Sequence, residues 1–248
     1  MSGTDLAVVV AAVLVGGLVK SITGMGLPLV AIPIMTMFMP TETAVAVLAL
    51  PNLAQNMFLV HRFRGWHSAV RRLPAFCVAG VLGALAGTFA LDVVDERVLQ
   101  IALLVMVAGY LISTVTHPDF EINERTERIG TGPVGALSGL FQGAIGISGP
   151  IVGTWHHGLK LHRDAFVFSI ATVFALTGAA QASVLGAQGK YTGRWAAIAV
   201  VALIVLITVP IGSRLRTRLP VQWFHRMVLV LLAVSCVSIV VDLTRSFR

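Results

Sequence analysis

Lys20 is the residue in this chain with the sharpest chemistry. It is the only charged side chain between Asp5 and Glu42. An ammonium at membrane depth costs at least about 2.5–3.5 kcal/mol, so its presence asks for a role. An anion is its natural partner, because the flanking residues offer no carboxylate. The structural alternative is a lysine that snorkels to the nearest interface. Four residues on, Gly24-Met25-Gly26-Leu27-Pro28 interrupts the apolar stretch, and Gly146-Ile147-Ser148-Gly149-Pro150 does the same in the second half. Glycine is a poor helix former and proline cannot continue the backbone ladder. Each segment therefore reads as two short helical pieces joined by irregular backbone. New helices starting near Gly26–Pro28 and Gly149–Pro150 would present free N–H groups and the positive end of the helix dipole to an anion. The alternative reading gives the glycines only close helix packing, as small residues provide in membranes.

Uncharged polar groups recur near these breaks. They are Ser21, Thr23, Asn52, Gln55, Asn56, Ser148, Thr172, Thr177 and Gln181. Asn52, Gln55 and Asn56 share one helix face at i, i+3 and i+4, and Thr177 and Gln181 share another. They line a polar pathway or glue the bundle together, and sequence leaves both open. The candidate anion site thus comprises Lys20, Ser21, Thr23, Gly24, Gly26, Pro28, Asn52, Gln55, Gln142, Gly146, Ser148, Gly149, Pro150 and Thr177. Glu42 and Asp164 open helices and read as first-turn stabilisers. His156, His157, His162, Lys160 and Arg163 make a basic mouth that gathers anions. With Asp164 the one carboxylate near them, no metal site and no cofactor is expected. Gly146-Ile147-Ser148-Gly149 also fits the G-x-S-G pattern of an intramembrane serine protease, which needs a histidine at membrane depth as base. Ser148→Ala would abolish a protease and leave a transporter partly active.

The elements that position these residues follow from composition. Of 248 residues, 56% are hydrophobic and 12% charged, with a mean hydropathy of +0.89. Soluble domains carry about 25% charged residues, so the chain reads as a polytopic membrane protein. The net charge of +7 does not imply nucleic acid, because the arginines cluster between apolar runs, as in cytoplasmic loops. Charge-free runs cover 6–19, 21–41, 43–60, 73–91, 98–116, 129–159, 165–189, 195–213 and 227–241. Most suit a single helical crossing of about 17–25 residues. They are too long and uniformly apolar for barrel strands. With Asp5 and no basic residue before the first run, no cleaved signal peptide is expected. Two cysteines in apolar runs imply neither a disulfide framework nor a metal site.

The two broken segments are copies. Gly17-Leu18 aligns with Gly139-Leu140, Gly24 with Gly146, Pro28 with Pro150 and Glu42 with Asp164, all at an offset of 122. Lys20 then matches Gln142, and Gln55 matches Thr177. Loop charge assigns opposite orientations to the copies. The loop 61–72 carries four arginines and goes inside, whereas 92–97 is mainly acidic and goes outside. The corresponding loops 188–194 and 214–220 reverse this pattern. The expected architecture is an all-α polytopic membrane protein of two inverted repeats. Each repeat is a broken or re-entrant helical hairpin plus three transmembrane helices. Residues 1–116 form the first repeat, 117–132 a polar linker on the inside and 133–248 the second, with both termini outside. Paired broken helices in two repeats are a common transporter design.

These segments resemble a known family. Gly16-Gly17-Leu18, Gly24-Met25-Gly26-Leu27-Pro28 and Pro33, with Gly135, Gly139-Leu140-Phe141 and Gly146-Ile147-Ser148-Gly149-Pro150, are similar to the paired glycine-rich signatures of sulfite exporter TauE/SafE-type permeases. The resemblance covers nearly the whole chain. It implies a permease or exporter of small anions such as sulfite, sulfoacetate or a related sulfonate or organic acid, bound near the midplane between the two breaks. It also implies a multi-pass protein of a prokaryotic inner (plasma) membrane, whose partners are the anion and the lipid bilayer, with a homodimer left open. An anion channel is the nearer alternative and the serine protease the more distant one. No coupling carboxylate is visible at membrane depth.

Overall fold

The computed structural model describes residues 3–116 and 121–215, with the single position 237. Among the described residues the chain is all helical. Its elements are α1 (Gly3–Thr23), α2 (Leu27–Met35), α3 (Thr41–Arg62), α4 (Leu73–Val93), α5 (Glu96–Thr116), α6 (Glu124–Ile145), α7 (Gly149–Gly158), α8 (Arg163–Ala187) and α9 (Trp195–Leu215). Among the described residues, four stretches are long and apolar enough to cross a membrane: Thr41–Arg62, Leu73–Val93, Arg163–Ala187 and Trp195–Gly212. Apart from position 237, the expected run 227–241 lies outside the described residues, as do the external C-terminus and residues 117–120 of the linker.

Both expected breaks are present. The helix α1 stops at Thr23 and α2 starts at Leu27, whereas α6 stops at Ile145 and α7 starts at Gly149. Gly24 and Gly26 have φ of 89° and 138°, and Gly146 has φ of 71°. Side chains other than glycine rarely adopt this region, which makes these three glycines the hinge of each break. Helix boundaries recur at the same offset. Thr23 and Ile145, Leu27 and Gly149, Thr41 and Arg163, and Leu73 and Trp195 are each 122 positions apart.

The expected polar linker is partly helical. Asn123 caps α6, its Oδ1 accepting from the Thr126 N–H at 2.9 Å. The helix then runs from Glu124 without interruption into the second broken segment. A good cap and acidic first-turn residues favour a helix there despite loop-like composition.

The two sets of helices interlock. The most extensive contact is between α4 and α6, and α1 packs chiefly on α9. Glycine sets the α4–α6 distance. A Cβ on Gly139 would lie 1.8 Å from the Gly80 carbonyl oxygen, one on Gly143 2.3 Å from that of Ala84, and one on Gly87 2.0 Å from that of Leu140. For these glycines the close-packing explanation holds. Gly24, Gly26 and Gly146 differ in having positive φ.

The helices α3 and α8 lie side by side in opposite directions. Glu42, in the first turn of α3, accepts from Arg194, at the end of the turn that follows α8, at 3.3 Å. At the other end Trp66, just beyond α3, stacks on His162 at the start of α8 with ring centroids 4.6 Å apart. One end of the bundle therefore carries Glu42, Asp92, Lys190 and Arg194, with Lys190 Nζ 2.6 Å from Asp92 and 3.2 Å from Glu42. Glu42 is thus an ion-pair partner as well as a first-turn acid. The opposite end carries Trp66, His162 and the Arg72–Glu127 pair at 3.9 Å. A large apolar core, including Leu27, Ile32, Met35, Leu48, Leu185 and Tyr191, is shared by helices of both halves.

Candidate functional site

The two breaks meet at one small pocket. Eight of the residues singled out in the sequence line it: Lys20, Gly26, Pro28, Asn52, Gln142, Gly146, Ser148 and Gly149. Four more complete the wall, namely Met25, Leu29, Ile147 and Phe174. The composition of this wall follows the repeat. Lys20 and Gln142, Met25 and Ile147, Gly26 and Ser148, and Asn52 and Phe174 are all matched at the offset of 122. Phe174 stands at the position matched to Asn52, and Ile147 at that matched to Met25.

Lys20 is 1% exposed. Its ammonium donates a hydrogen bond to Asn52 Oδ1 and sits 5.5 Å from the centroid of the Phe174 ring, within range of a cation–π interaction. Among the described residues no carboxylate pairs with it. The snorkelling alternative does not describe this side chain, which points into protein.

On the other side of the repeat the amides form a closed network. The Ser148 hydroxyl donates to Gln142 Oε1 at 2.9 Å. Gln142 Nε2 donates to Gln181 Oε1 at 3.2 Å and to the Gly146 carbonyl at 3.4 Å. Gln181 Nε2 returns to the Gln142 carbonyl at 2.7 Å and the Gly143 carbonyl at 3.2 Å. The second break is thus tied to α8 through its own backbone. Ser148 is occupied as a donor to an amide, not poised beside a base.

The helices α2 and α7 both begin at this pocket, and neither has a side-chain hydrogen bond capping its first turn. Each has a proline in that turn, which fits a helix start. Uncapped helix N-termini carry unsatisfied N–H groups and partial positive charge. Together with Lys20 they point hydrogen-bond donors at the pocket. Its volume is about 20 Å³, enough for roughly one water-sized group. An anion of several heavy atoms enters only if the walls yield.

The remaining expected residues are close by but play other parts. Ser21 donates to the Gly17 carbonyl at 2.8 Å and accepts from Gln55 Nε2 at 3.1 Å, so both brace α1 against α3. Gln55 Oε1 and both amide atoms of Asn56 are buried without a protein partner. Thr177 donates to the Val173 carbonyl at 2.8 Å on its own helix. Gly24 abuts Ile170, with an added Cβ 2.8 Å from its Cδ1. Pro150 is buried in α7. The side chain of Thr23 lies outside the described residues.

The family model described as "Sulfite exporter TauE/SafE" matches residues 8–239, nearly the whole chain. No curated protein matches the chain, and no solved structure does.

Proposed function

The chain belongs to the sulfite exporter TauE/SafE family, a family of multi-pass membrane transporters and not of enzymes, and on that premise we propose that it carries a small sulfur-containing or organic oxyanion, sulfite or a sulfonate such as sulfoacetate, through the pocket between its two breaks. One observation carries the reading. Two separated segments bring matched positions, two uncapped helix starts and a buried ammonium with no carboxylate partner among the described residues to a single pocket. A protein that buries a charge this way gains from an anionic partner, because an unpaired buried ion is costly. Lys20 supplies the charge, Asn52 orients it, Gln142 and Ser148 line the other side and would exchange a bond of their closed network for the ligand, and Gly26 and Gly149 let backbone approach the ligand.

The two halves act as inverted repeats, with the pocket at their interface. The antiparallel course of the matched helices α3 and α8 supports this, as does the acidic and basic pairing of loops at each end. The end carrying Arg64 faces the cytoplasm of a cell whose inner membrane holds the protein. A pocket closed to about 20 Å³ favours a carrier over an open pore. An inside-negative potential favours outward movement of an anion by about 2.3 kcal/mol per charge per 100 mV, so export needs no coupling ion.

The decisive experiment is flux in proteoliposomes with a panel of sulfite, sulfoacetate, taurine, lactate and sulfate. Saturable flux of sulfite or sulfoacetate, abolished by Lys20→Met, is the expected result. Flux that rises linearly with concentration would indicate a channel, and selectivity for the zwitterion taurine would remove the oxyanion reading. Orientation is checked separately by cysteines at Arg64, Arg214 and Asp95. The first two are expected to react only from the inside and the third only from the outside.

A further inference from the structure

A second cleft opens at the far end of the helix that starts in the central pocket. It has a volume of about 390 Å³ and is lined by His156, His157, Lys160, Leu161, Arg163 and Phe166. No carboxylate lines it. The helix α7 connects the two places, with Gly149 in the central pocket and His156 and His157 in the cleft. At 1.5 Å per residue the separation along α7 is about 10 Å.

Two features suggest that the cleft is built and not merely a basic surface. Lys160 has φ of 50°, the one described residue other than glycine in the left-handed region. It occupies the position just after the C-cap of α7, Leu159, where glycine is the usual choice because it adopts that conformation freely. A lysine there keeps an ammonium at the cleft against backbone preference, and outliers of this kind cluster at ligand clamps and switch regions. The second feature is the route onward. Met25, which lines the central pocket, lies along α7 with Cε 2.6 Å and Sδ 2.9 Å from the point where a Cβ on Gly153 would stand. Absence of side chains at Gly149 and Gly153 gives α7 a smooth face between cleft and pocket, covered by one flexible thioether side chain. The negative end of the α7 dipole lies at the cleft and its positive end at the pocket, so the basic side chains of the cleft offset the dipole there and the α7 N-terminus favours the anion once it reaches the pocket.

We propose that this cleft is a second oxyanion site, in which Lys160 and Arg163 hold the anion before it passes Met25 into the central pocket. The proposal rests on the transport reading above. A free sulfite or sulfonate and a phospholipid headgroup share the chemistry it recognises, and the proposal assigns it to the free solute.

The test is calorimetric titration of the purified full chain with sulfite, in neutral detergent and in phosphatidylcholine nanodiscs. Two binding events are expected. Lys160→Gly combined with Arg163→Gln removes one, lowering its affinity at least tenfold, and leaves the other within about twofold. Glycine suits the backbone at position 160, so the variant retains its fold, and an unchanged melting temperature checks this. Lys20→Met removes the other event alone. If the wild type shows a single event that Lys20→Met abolishes and the cleft variant leaves intact, the cleft site is refuted and the central site stands. If no sulfite binds, both fail. Nanodiscs containing phosphatidylglycerol separate the sources. Persistence of the second event there supports a solute site, and its loss there assigns the cleft to lipid headgroups and overturns the proposal.

Discussion

Lys20 and Gln142 stand at the same position of two repeated segments, and both reach the pocket where those segments break. One brings an ammonium and the other a carboxamide, so the two matched segments are chemically unequal at a buried polar position. Lys20→Met keeps most of the length and removes the charge. Anion affinity measured by calorimetry is expected to fall by tenfold or more, equivalent to about 1.4 kcal/mol or above. The empty protein is expected to melt higher, since an unpaired buried charge has been removed. Lys20→Arg keeps the charge in a bulkier group and is expected to fall between. An unchanged dissociation constant in Lys20→Met would remove the lysine from the site.

The break glycines make a separate prediction. A Cβ at Gly146 would lie 2.6 Å from Ile32 Cδ1, and one at Gly24 would lie 2.8 Å from Ile170 Cδ1. Both positions have positive φ, which costs other residues roughly 1–2 kcal/mol. Gly24→Leu or Gly146→Leu is expected to abolish flux while the protein still inserts in the membrane. Wild-type rates in either variant, measured at equal protein content, would detach the breaks from function.

The α4–α6 glycines should behave differently. Gly139→Ala drives a methyl group onto the Gly80 carbonyl, forcing two backbones apart. Overpacking of this kind typically costs about 1–3 kcal/mol, read as a lowered melting temperature. Gly109→Ala is the control, because nothing lies within 4 Å of its added Cβ. In a helix interior that change is expected to be neutral or stabilising by up to about 1 kcal/mol. Equal melting of the two variants would contradict the packing.

The breaks were legible because glycine and proline act locally. A positive φ at Gly24 or Gly146 is a property of a few residues, and the paired motifs stated it twice. The pocket was legible through Lys20, whose isolation in an apolar run is visible without a structure. The wall residues Met25 and Phe174 were not singled out, because apolar side chains carry no signal of which face they line. The division of labour among glycines was equally hidden. Gly139 and Gly146 look alike in the chain, but one contacts a neighbouring backbone and the other turns its own. Thr177, expected beside the ligand, donates to the Val173 carbonyl within its own helix, a bond open to any threonine at membrane depth and not foreseen from its polarity.

The ion cluster at the end opposite the basic cleft gives the last prediction. Lys190 on the α8–α9 turn reaches both Asp92 at the end of α4 and Glu42 at the start of α3. Gln188 also donates to Asp92, and Arg194 to Glu42 and Thr43. This network joins elements of the two halves at one mouth. The hydrogen bond from Lys190 to Asp92 raises the lysine pKa above its ordinary value, partial burial opposes this, and Glu42 adds to the rise. The sign of the pH dependence follows. A raised folded-state pKa means that the contribution of Lys190 is complete below the ordinary lysine value of about 10.4 and is lost as pH rises through the higher folded-state value. The difference in melting temperature between wild type and Lys190→Met should therefore be constant from about pH 7 to about pH 10, and shrink above that. Its size is modest, because partly exposed ion pairs are worth about 0–1 kcal/mol each. A double-mutant cycle of Lys190→Met with Asp92→Asn isolates the pair. The expected coupling is positive and weakens with added salt, since partly exposed charges are screened. Zero coupling at low salt, or a wild-type advantage that grows above pH 10.4, would show that this mouth is not held by Lys190.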